Sequence, residues 1–428
     1  MNNFPRYDSY KDSGVDWLGD IPKHWEAVSL GSIMELKSDK NHPEFEVLSV
    51  YREFGVIPKD SRDDNHNATS LDTTTYKAVE KGDLVVNKMK AWQGSMGISS
   101  HKGIVSPAYI TCKITSRKVY SEFLHRLLRC NSFIGEYNRI SYGVRIGQWD
   151  MHYEDFKRVT VLLPPISEQT AIAEFLDRKT AQIEQAIAQK ERLIELLKER
   201  RQILIHKAVT RGLNPNVKLK HSGVDWIGEI PEHWEVEKGK WLFEKQKRLV
   251  RNTDEIVTCF RDGEVTLRSN RRTEGFTNAL QEHGYQGIRK GDLVIHNMDA
   301  FAGAIGVSDS DGKSTPVYSV CVSKNDEKVN PYFYALFLRK LAKDGFIESL
   351  AKGIRERSTD FRFNDFGVLL LSLPPLSEQN EIVLYVEKIN QKIETAISCK
   401  QKEIEKLKEY KAVLINSAVT GKFKISDN

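Results

Sequence analysis

A short basic run in the second half of the chain has the residue types that bind polyanions. Arg268, Asn270, Arg271 and Arg272 stand within five positions and form the densest basic cluster of their region. Lysine and arginine supply affinity for phosphates, and arginine, lysine and asparagine also hydrogen-bond the edges of guanine and adenine. The run therefore predicts a nucleic-acid contact. The alternative is a solvated charged face, which is the usual place of a charge run.

Two segments with a glycine beside basic residues occupy equivalent places in the two halves of the chain. The first contains Tyr142 and Arg145, and the second contains Lys352 and Arg355. Glycine permits close approach of a backbone, and arginine suits a phosphate. Because the pattern recurs, we expect phosphate contact rather than base reading. A structural ion pair is the alternative.

A third set of candidates follows a segment that recurs in both halves but is followed by different residues in each. Lys88 and Lys90 follow a Lys-Gly-Asp-Leu-Val segment, and Asn297 and Asp299 stand at the corresponding places in its second copy. Such a difference is what two unlike nucleic-acid targets would require, so Lys88, Lys90 and Asn297 are candidate contacts. Arg52 is a further candidate, in sequence that has no counterpart in the other half.

The same sequence lacks the constellations that carry catalysis. Its only Pro-Pro pairs follow leucine, whereas an amino-methyltransferase loop needs Asn or Asp before them. The nearest approach to a phosphate-binding loop, at residues 306–314, has five intervening residues instead of four. No His-x-x-x-His pattern is present, and the five cysteines form no Cys-x-x-Cys pair. We therefore expect no catalytic site, no metal site and no disulfide framework.

Composition sets the broad class of the protein. The 428 residues are 40% hydrophobic, which suits two to three globular domains and excludes wholesale disorder. The apolar runs fall far short of the roughly 18 residues of a membrane span, and the first residues lack the apolar core of a signal peptide. A cytoplasmic protein without a membrane partner is expected. The net charge of +5 permits a polyanionic partner without requiring one.

The chain contains an internal sequence repeat. Residues 13–26 recur as residues 222–235 with three differences, an offset of 209, and later segments recur at an offset of 210. Residues 27–75 and 236–285 share almost nothing, and neither do residues 110–140 and 319–350. The repeat is too long for a solenoid unit and predicts a duplicated domain. Two similar scaffolds would then carry two different surfaces.

Each Pro-Pro pair leads into a predicted long helix. A short apolar run before it predicts a buried strand, and the serine after it can cap a helix. Residues 168–210 and 378–420 contain no proline or glycine, which predicts helices of about 40 residues and about 60 Å. Steps of three, four and seven give each helix one apolar stripe. The stripes consist of Ile172, Leu176, Ile183, Ile187, Ile194, Leu197 and Leu204, and of Ile382, Val386, Ile393, Ile397, Ile404, Leu407 and Leu414.

The two stripes are expected to face each other in a coiled coil, because one small domain cannot cover a helix of this length. The alternative is that each helix covers the sheet of its own domain. Spacing alone allows either relative orientation of the helices. A rod of about 60 Å is long enough to hold two surfaces about 34 Å apart, which is the repeat of one face of DNA.

The paired Leu-Pro-Pro-x-Ser-Glu-Gln motifs at residues 163–169 and 373–379, with the other duplicated segments, resemble the specificity subunit of type I restriction–modification systems. The resemblance covers nearly the whole chain. It implies two target recognition domains that each read one part of a split site in double-stranded DNA. It also implies two methyltransferase subunits and helicase–nuclease restriction subunits as partners. No cofactor is implied for this chain; S-adenosylmethionine, ATP and Mg belong to the partner subunits.

The expected fold is α/β, with two globular target recognition domains separated by two long helices packed as an antiparallel coiled coil, in a pseudo-twofold internal repeat. The expected segments are an N-terminal conserved segment 1–26, a first recognition domain 27–163, a central helix 164–212, a linker 213–235, a second recognition domain 236–373, a C-terminal helix 374–421 and a tail 422–428.

The expected function is non-catalytic recognition of a bipartite DNA target, with helices that set the spacing and dock the methyltransferase subunits of an adenine-methylating complex. One alternative is a specificity subunit of a methylation-only complex. The other is a coiled-coil assembly scaffold without DNA specificity.

Overall fold

The computed structural model describes residues 4–62, 69–70, 72–143, 149–271, 283–350 and 360–425. These residues divide into two compact units. Unit 1 comprises Met1–Glu191 and Gln401–Asn428, and unit 2 comprises Arg192–Lys400. Each unit therefore contains one of the expected recognition domains and a part of each long helix.

Unit 1 combines short strands with helices of very different length. The strands are β1 Tyr10–Asp12, β2 Asp20–Pro22, β3 Glu26–Ser29, β4 Met34–Lys37, β5 Leu48–Tyr51, β6 Gly55–Pro58, β7 Lys77–Val79, β8 Leu84–Asn87, β9 Met96–Ile98, β10 Gly103–Val105, β11 Tyr109–Ile114 and β12 Thr160–Leu163. The helices are α1 Ser121–Leu128, α2 Asn131–Ile140, α3 Tyr153–Phe156 and the first part of α4 Ile166–Arg211.

Unit 2 has a matching set of elements. The strands are β13 Leu219–His221, β14 Glu229–Pro231, β15 Glu235–Lys238, β16 Phe243–Gln246, β17 Val257–Cys259, β18 Val265–Leu267, β19 Gln286–Ile288, β20 Leu293–His296, β21 Ile305–Val307, β22 Gly312–Ser314, β23 Tyr318–Ser323 and β24 Leu370–Leu373. The helices are α5 Gly239–Leu242, α6 Pro331–Lys343, α7 Phe346–Leu350, α8 Phe363–Val368 and α9 Leu376–Val419, which ends in unit 1.

A four-stranded antiparallel sheet lies at the centre of each unit. Its strand order is β4-β11-β8-β9 in unit 1 and β16-β23-β20-β21 in unit 2. The hairpins β5–β6 and β17–β18 stand at corresponding places beside these sheets. The same order thus arises although residues 27–75 and 236–285 have unrelated sequences, because both halves keep the buried apolar alternation of a strand.

The strand before each Pro-Pro pair is tied to the repeated N-terminal segment of its own unit. β12 pairs antiparallel with β3, so that Leu163 lies opposite Glu26. β24 pairs with β15 in the same way, with Leu373 opposite Glu235. The predicted buried strands are therefore present, and their pairing brings the repeated His-Trp-Glu residues to the beginning of each long helix.

Both long helices begin two residues before the proline-free stretches at 168–210 and 378–420 that predict them. The amide of Gln169 donates to the carbonyl of Pro165, which makes the proline the first acceptor of α4. The amide of Gln379 donates to Pro375 in α9 in the same way. The predicted capping role of the serines is therefore wrong, since both serines already lie inside the first turn. At about 1.5 Å per residue, the 46 residues of α4 span about 69 Å.

The apolar stripe of each helix is buried or half-buried along its whole length. In unit 1, Ile172, Leu176 and Ile183 share a hydrophobic core with Leu414 of α9. In unit 2, Ile382 and Val386 share a core with Ala208 and Val209 of α4. The segments of α4 and α9 within each unit thus belong to the same core as the globular part of that unit.

Ion pairs join α4 to α9 within each unit. In unit 1, Lys411 Nζ lies 2.6 Å from Glu184 Oε1, and Lys190 Nζ lies 2.5 Å from Glu403 Oε2. The α9 partner moves backwards as the α4 residue number rises, so these two segments run antiparallel. In unit 2, Arg201 Nη1 lies 3.2 Å from Glu394 Oε2.

Among the helices of the described residues, none combines the length and the hydropathy of a membrane span.

Candidate nucleic-acid interface

The glutamate of each Ser-Glu-Gln motif binds the repeated His-Trp segment. In unit 1, Glu168 Oε1 accepts hydrogen bonds from the indole N–H of Trp25 at 3.2 Å and from the Tyr7 hydroxyl at 2.5 Å. His24 Nε2 lies 2.7 Å from Glu168 Oε2. Burial and the neighbouring Glu168 raise the pKa of Tyr7 well above its usual value, so this phenol stays a donor.

Unit 2 repeats this arrangement with one partner fewer in the described residues. Trp234 Nε1 donates to Glu378 Oε2 at 2.9 Å, and His233 Nε2 lies 2.5 Å from Glu378 Oε1. Trp25 and Trp234 are both fully buried. A buried indole N–H needs an acceptor, and the glutamate supplies it in both units.

The glutamine of the same motif fixes a second segment of each unit. Gln169 is fully buried, accepts from the amide of Tyr120 at 2.8 Å and donates to the carbonyl of Lys118 at 2.8 Å. Gln379 holds Asn330 and Lys328 in the same way: its Oε1 accepts from the amide of Asn330 and its Nε2 donates to the carbonyl of Lys328, each at 2.8 Å. Each Ser-Glu-Gln motif thus connects the N-terminal segment, the long helix and the helix that follows the central sheet.

Large side chains from the loop after β8 and from the chain after α2 lie near or at the surface of unit 1. Met89 is 52% exposed and Tyr142 is 56% exposed, although both are large and partly apolar. The rings of Trp92 and Trp149 meet at 5.3 Å and are half-buried. Tyr142 stacks on His152 with centroids 5.0 Å apart. Met89, Trp92, Tyr142 and Trp149 are called the unit 1 aromatic surface below.

The predicted contacts Lys88 and Lys90 lie in this same loop but in different surroundings. Lys88 Nζ lies 2.8 Å from Asp150 Oδ2 in a half-exposed ion pair. Lys90 is exposed and has no ion-pair partner among the described residues. Lys90 is therefore available to an incoming phosphate, whereas Lys88 must first leave Asp150. Arg52 is exposed in the turn between β5 and β6, and its carbonyl accepts from Arg129 at 2.5 Å.

The predicted basic run of unit 2 is built into the β17–β18 hairpin. Arg271 Nη1 lies 2.8 Å from Asp262 and 3.0 Å from Glu264, and its guanidinium lies 4.2 Å from the Phe260 ring centroid. Asn270 is exposed and donates to Thr266 at 2.8 Å. The geometry gives Arg271 a structural role that competes with the predicted base contact.

Arg268 is half-buried at the far end of the same hairpin. Its Nε donates to Thr258 Oγ1 at 3.3 Å. Arg268 thus lies apart from the turn at residues 260–264 that receives Arg271. Arg268, Asn270 and Arg271 thus have different partners within the hairpin, and Arg272 lies outside the described residues.

Asn297 does not have the exposure that its predicted role requires. Only 7% of it is accessible, and its Oδ1 accepts from the Ser319 hydroxyl at 2.8 Å. Its backbone carbonyl accepts from the amide of Phe361. A base contact at Asn297 would require its enclosed side chain to leave Ser319, and the contact stays a prediction.

The candidates Arg145, Lys352 and Arg355 lie outside the described residues. Of the four candidates in the two glycine-containing segments, Tyr142 is the one among the described residues. Its hydroxyl donates to Asp155 at 3.3 Å, and its backbone bridges Asp150.

Residues 22–194 match the family model for the type I restriction modification DNA specificity domain. Over 95% of this chain and 96% of the relative, the sequence is 22% identical to the putative type I restriction enzyme MjaX specificity subunit of Methanocaldococcus jannaschii. The EcoBI specificity subunit of Escherichia coli is 27% identical over 53% of this chain and 50% of the relative. The chain is therefore similar to specificity subunits of type I restriction–modification systems.

Two solved structures have a similar fold. A chain from a study of complex assembly and conformational transition in a type I restriction–modification system gives a TM-score of 0.67 at 14% identity, covering 93% of this chain and 98% of that chain. The HsdS subunit of Thermoanaerobacter tengcongensis gives a TM-score of 0.56 at 15% identity, covering 94% and 98%. At this level of identity the likeness concerns the fold alone.

The unit 1 aromatic surface is a candidate contact that the sequence analysis did not predict. Trp92 and Trp149 lie 57 positions apart in the sequence, so no local pattern joins them. A signal was available for the methionines: Met89 and Met298 stand at the same place of the repeat, and both are exposed, by 52% and 46%. An exposed methionine retained beside residues that differ indicates a shared apolar contact.

Proposed function

We propose that this chain is the non-catalytic subunit that recognises a bipartite DNA target within a type I restriction–modification complex. Each unit would read one half of the target. The observation that carries the proposal is the difference between corresponding loops on one shared frame. Lys90 and Trp92 stand in the loop after β8 of unit 1, whereas Asp299 and Phe301 occupy the same positions in unit 2. Unlike loops on like scaffolds are what two unlike half-sites require.

We further propose that α4 and α9 pack along their length as an antiparallel coiled coil that sets the spacing between the half-sites. The pairs Lys411–Glu184 and Lys190–Glu403 in unit 1, and Arg201–Glu394 in unit 2, support this packing. The burial of both apolar stripes supports it as well. A pseudo-twofold arrangement of the two halves is the natural consequence of a duplicated domain joined by such helices.

The remaining partners follow from the family. Two methyltransferase subunits would dock on the conserved helices and bring S-adenosylmethionine for adenine methylation. Restriction subunits would bring ATP, Mg and the nuclease. Within the described residues, no three His, Cys, Asp or Glu side chains are grouped to hold a metal ion. The chain's own part in the reaction is then to bind and position DNA.

Methylome sequencing of the host with and without this gene tests the proposed function. The expected result is a split adenine-methylation motif that disappears in the deletion strain and returns when the gene is restored. A methylome that is identical in both strains, while the methyltransferase partner is expressed, would contradict the proposal.

A second experiment separates the two half-sites. Replacing Met89, Lys90 and Trp92 by alanine should alter discrimination at one half-site and leave discrimination at the other unchanged. Each lost base contact is expected to cost about 1–3 kcal/mol. Equal loss at both half-sites would show that the loop supports the fold rather than reads the target.

A further inference from the structure

A cleft of about 1,100 Å³ opens in unit 2 between the long helices and the recognition domain. Its walls come from residues 201–207 of α4, residues 390–394 of α9, residues 336–344 of α6 and the hairpin turn at residues 261–262. Six lining side chains are lysine or arginine, and three are aspartate or glutamate. The imbalance makes the cleft a candidate site for an anion.

Ion pairs neutralise only part of this positive charge. Lys340 pairs with Asp344 at 2.9 Å, and Arg201 pairs with Glu394 at 3.2 Å. Arg261 pairs with Asp299, which lies outside the cleft, at 2.9 Å. The third acidic lining residue, Asp262, is already bound by Arg271 of the hairpin.

Three cations remain without a carboxylate partner among the described residues. Lys343 donates only to the neutral side chain of Gln202, at 2.7 Å. Lys207 is exposed, and Arg339 has a buried Nε without a hydrogen-bond partner. Desolvation, together with Arg339 and Arg201, lowers the pKa of Lys343, which indicates that the cleft holds more positive charge than it compensates.

Unit 1 differs at the helix position that carries Lys207 in unit 2. Ser417 stands at the position of Lys207 and is buried. The neighbouring Asn416 Oδ1 accepts from the amide of Ser132 at 2.9 Å. Lys207 is thus a feature of unit 2 that the duplicated fold does not require.

We propose that this cleft binds the phosphates of the DNA backbone without reading its sequence, an inference that rests on the proposed function. Lys207 and Lys343 are the phosphate-binding side chains, because both carry a charge that the described residues leave unpaired. Arg339 is a positioning residue. Its guanidinium lies under the turn at Gly263, where an added Cβ would come within 2.4 Å of Cζ.

The test uses the complex of this chain with its methyltransferase partner and a double variant, Lys207→Gln with Lys343→Gln. Binding is measured against salt concentration for a target duplex and for an unrelated duplex. Two lost phosphate contacts should make the slope of log affinity against log salt shallower by about 1.8, equally for both duplexes. The half-site preference of the complex should not change.

A matched control removes the same charge elsewhere in unit 2. Lys245 and Lys328 are exposed and do not line the cleft. Lys245→Gln with Lys328→Gln should leave the salt slope within the error of the wild type. Ethylation interference adds a positional readout: phosphates whose ethylation weakens the wild-type complex should become insensitive in the cleft variant. Thermal unfolding and gel filtration verify that both variants fold and still assemble.

Each outcome separates the two proposals. A wild-type complex that prefers no DNA sequence contradicts the proposed function itself. A sequence-specific wild type whose cleft variant keeps the same affinity and salt slope overturns the cleft alone. Loss of methyltransferase assembly in the cleft variant would make the cleft a protein interface. ATP binding by the wild-type chain that the variant loses, with DNA binding unchanged, would assign the cleft to a free nucleotide.

Discussion

Replacing Glu168 by alanine is expected to destabilise unit 1 through the groups that lose their acceptor. Trp25 is fully buried and its indole N–H has Glu168 as its hydrogen-bond partner. Tyr7 is 8% exposed and donates to the same carboxylate oxygen. A buried donor left without a partner costs about 1–3 kcal/mol. The exposed His24 adds little, because surface pairs contribute about 0–1 kcal/mol.

The structure narrows the expected size of the effect. A cavity of about 350 Å³ lies beside Tyr7, His24 and Glu168, and water entering it can satisfy the Tyr7 hydroxyl. The expected loss for Glu168→Ala is therefore about 2–3 kcal/mol in the free energy of unfolding. Glu378→Ala in unit 2 should cost less, about 1–2 kcal/mol, since Trp234 is the one buried donor that loses its acceptor.

Two variants of the same helix turn serve as controls. Glu168→Gln keeps a carbonyl oxygen for the indole and should lose about 1 kcal/mol. Ser167→Ala changes an exposed side chain and should stay within about 0.5 kcal/mol of the wild type. Urea unfolding measures the stabilities, and hydrogen exchange should rise in β2 and β3 for Glu168→Ala alone. If Glu168→Ala and Ser167→Ala are equally stable, the reasoning about the buried donors is wrong.

Three further substitutions test whether the residues concerned stabilise the fold. Gly306→Ala should destabilise unit 2 by about 2–3 kcal/mol in urea unfolding, because its Cβ would lie 2.0 Å from the carbonyl oxygen of Gly263; equal stability would refute this close approach. Asn297→Ala should lower the free energy of unfolding by about 1–2 kcal/mol, because it leaves the buried Ser319 hydroxyl unpaired. A changed half-site preference at constant stability would instead support the predicted base contact of Asn297. Burial, Arg129 and Arg126 lower the pKa of His125 to about 4, so its contribution to stability is present above the unfolded value of about 6.5 and is lost as the pH falls towards 4. His125→Asn should therefore flatten the acid side of the unfolding curve by at most about 1.4 kcal/mol per pH unit, and an unchanged acid limb would show that His125 is not the group involved.

The helices and the duplicated motifs could be predicted because their signals are local. An apolar residue every three or four positions marks a helix wherever it occurs, and Ile172 and Ile382 are indeed fully or almost fully buried. The limits of the helices were missed by two residues at the N-terminus, because the carbonyls of Pro165 and Pro375 accept the first helical bonds. A proline keeps its carbonyl even though it has no amide to donate.

The site could be predicted less well because its geometry joins distant parts of the chain. Arg271 looks free in sequence, but the hairpin turn brings Asp262 and Glu264 against it. Asn297 follows a strand like a loop residue, but its side chain is enclosed and accepts from the Ser319 hydroxyl, while its carbonyl accepts from the amide of Phe361. Charge alone identifies candidates for a polyanion surface. Which of them remain unpaired is decided by contacts between residues that the sequence separates.

The conserved motifs and the varied loops then have separate physical tasks. Glu168 and Gln169 hold the N-terminal segment and the start of α1 on one helix turn, and Glu378 and Gln379 do the same in unit 2. These contacts use buried groups whose loss is costly, so they tolerate little change. The exposed loop at Met89 makes few such contacts and can change without unfolding the sheet. Under the proposed function, a frame of this kind would let the target of one unit change while the helices keep the spacing.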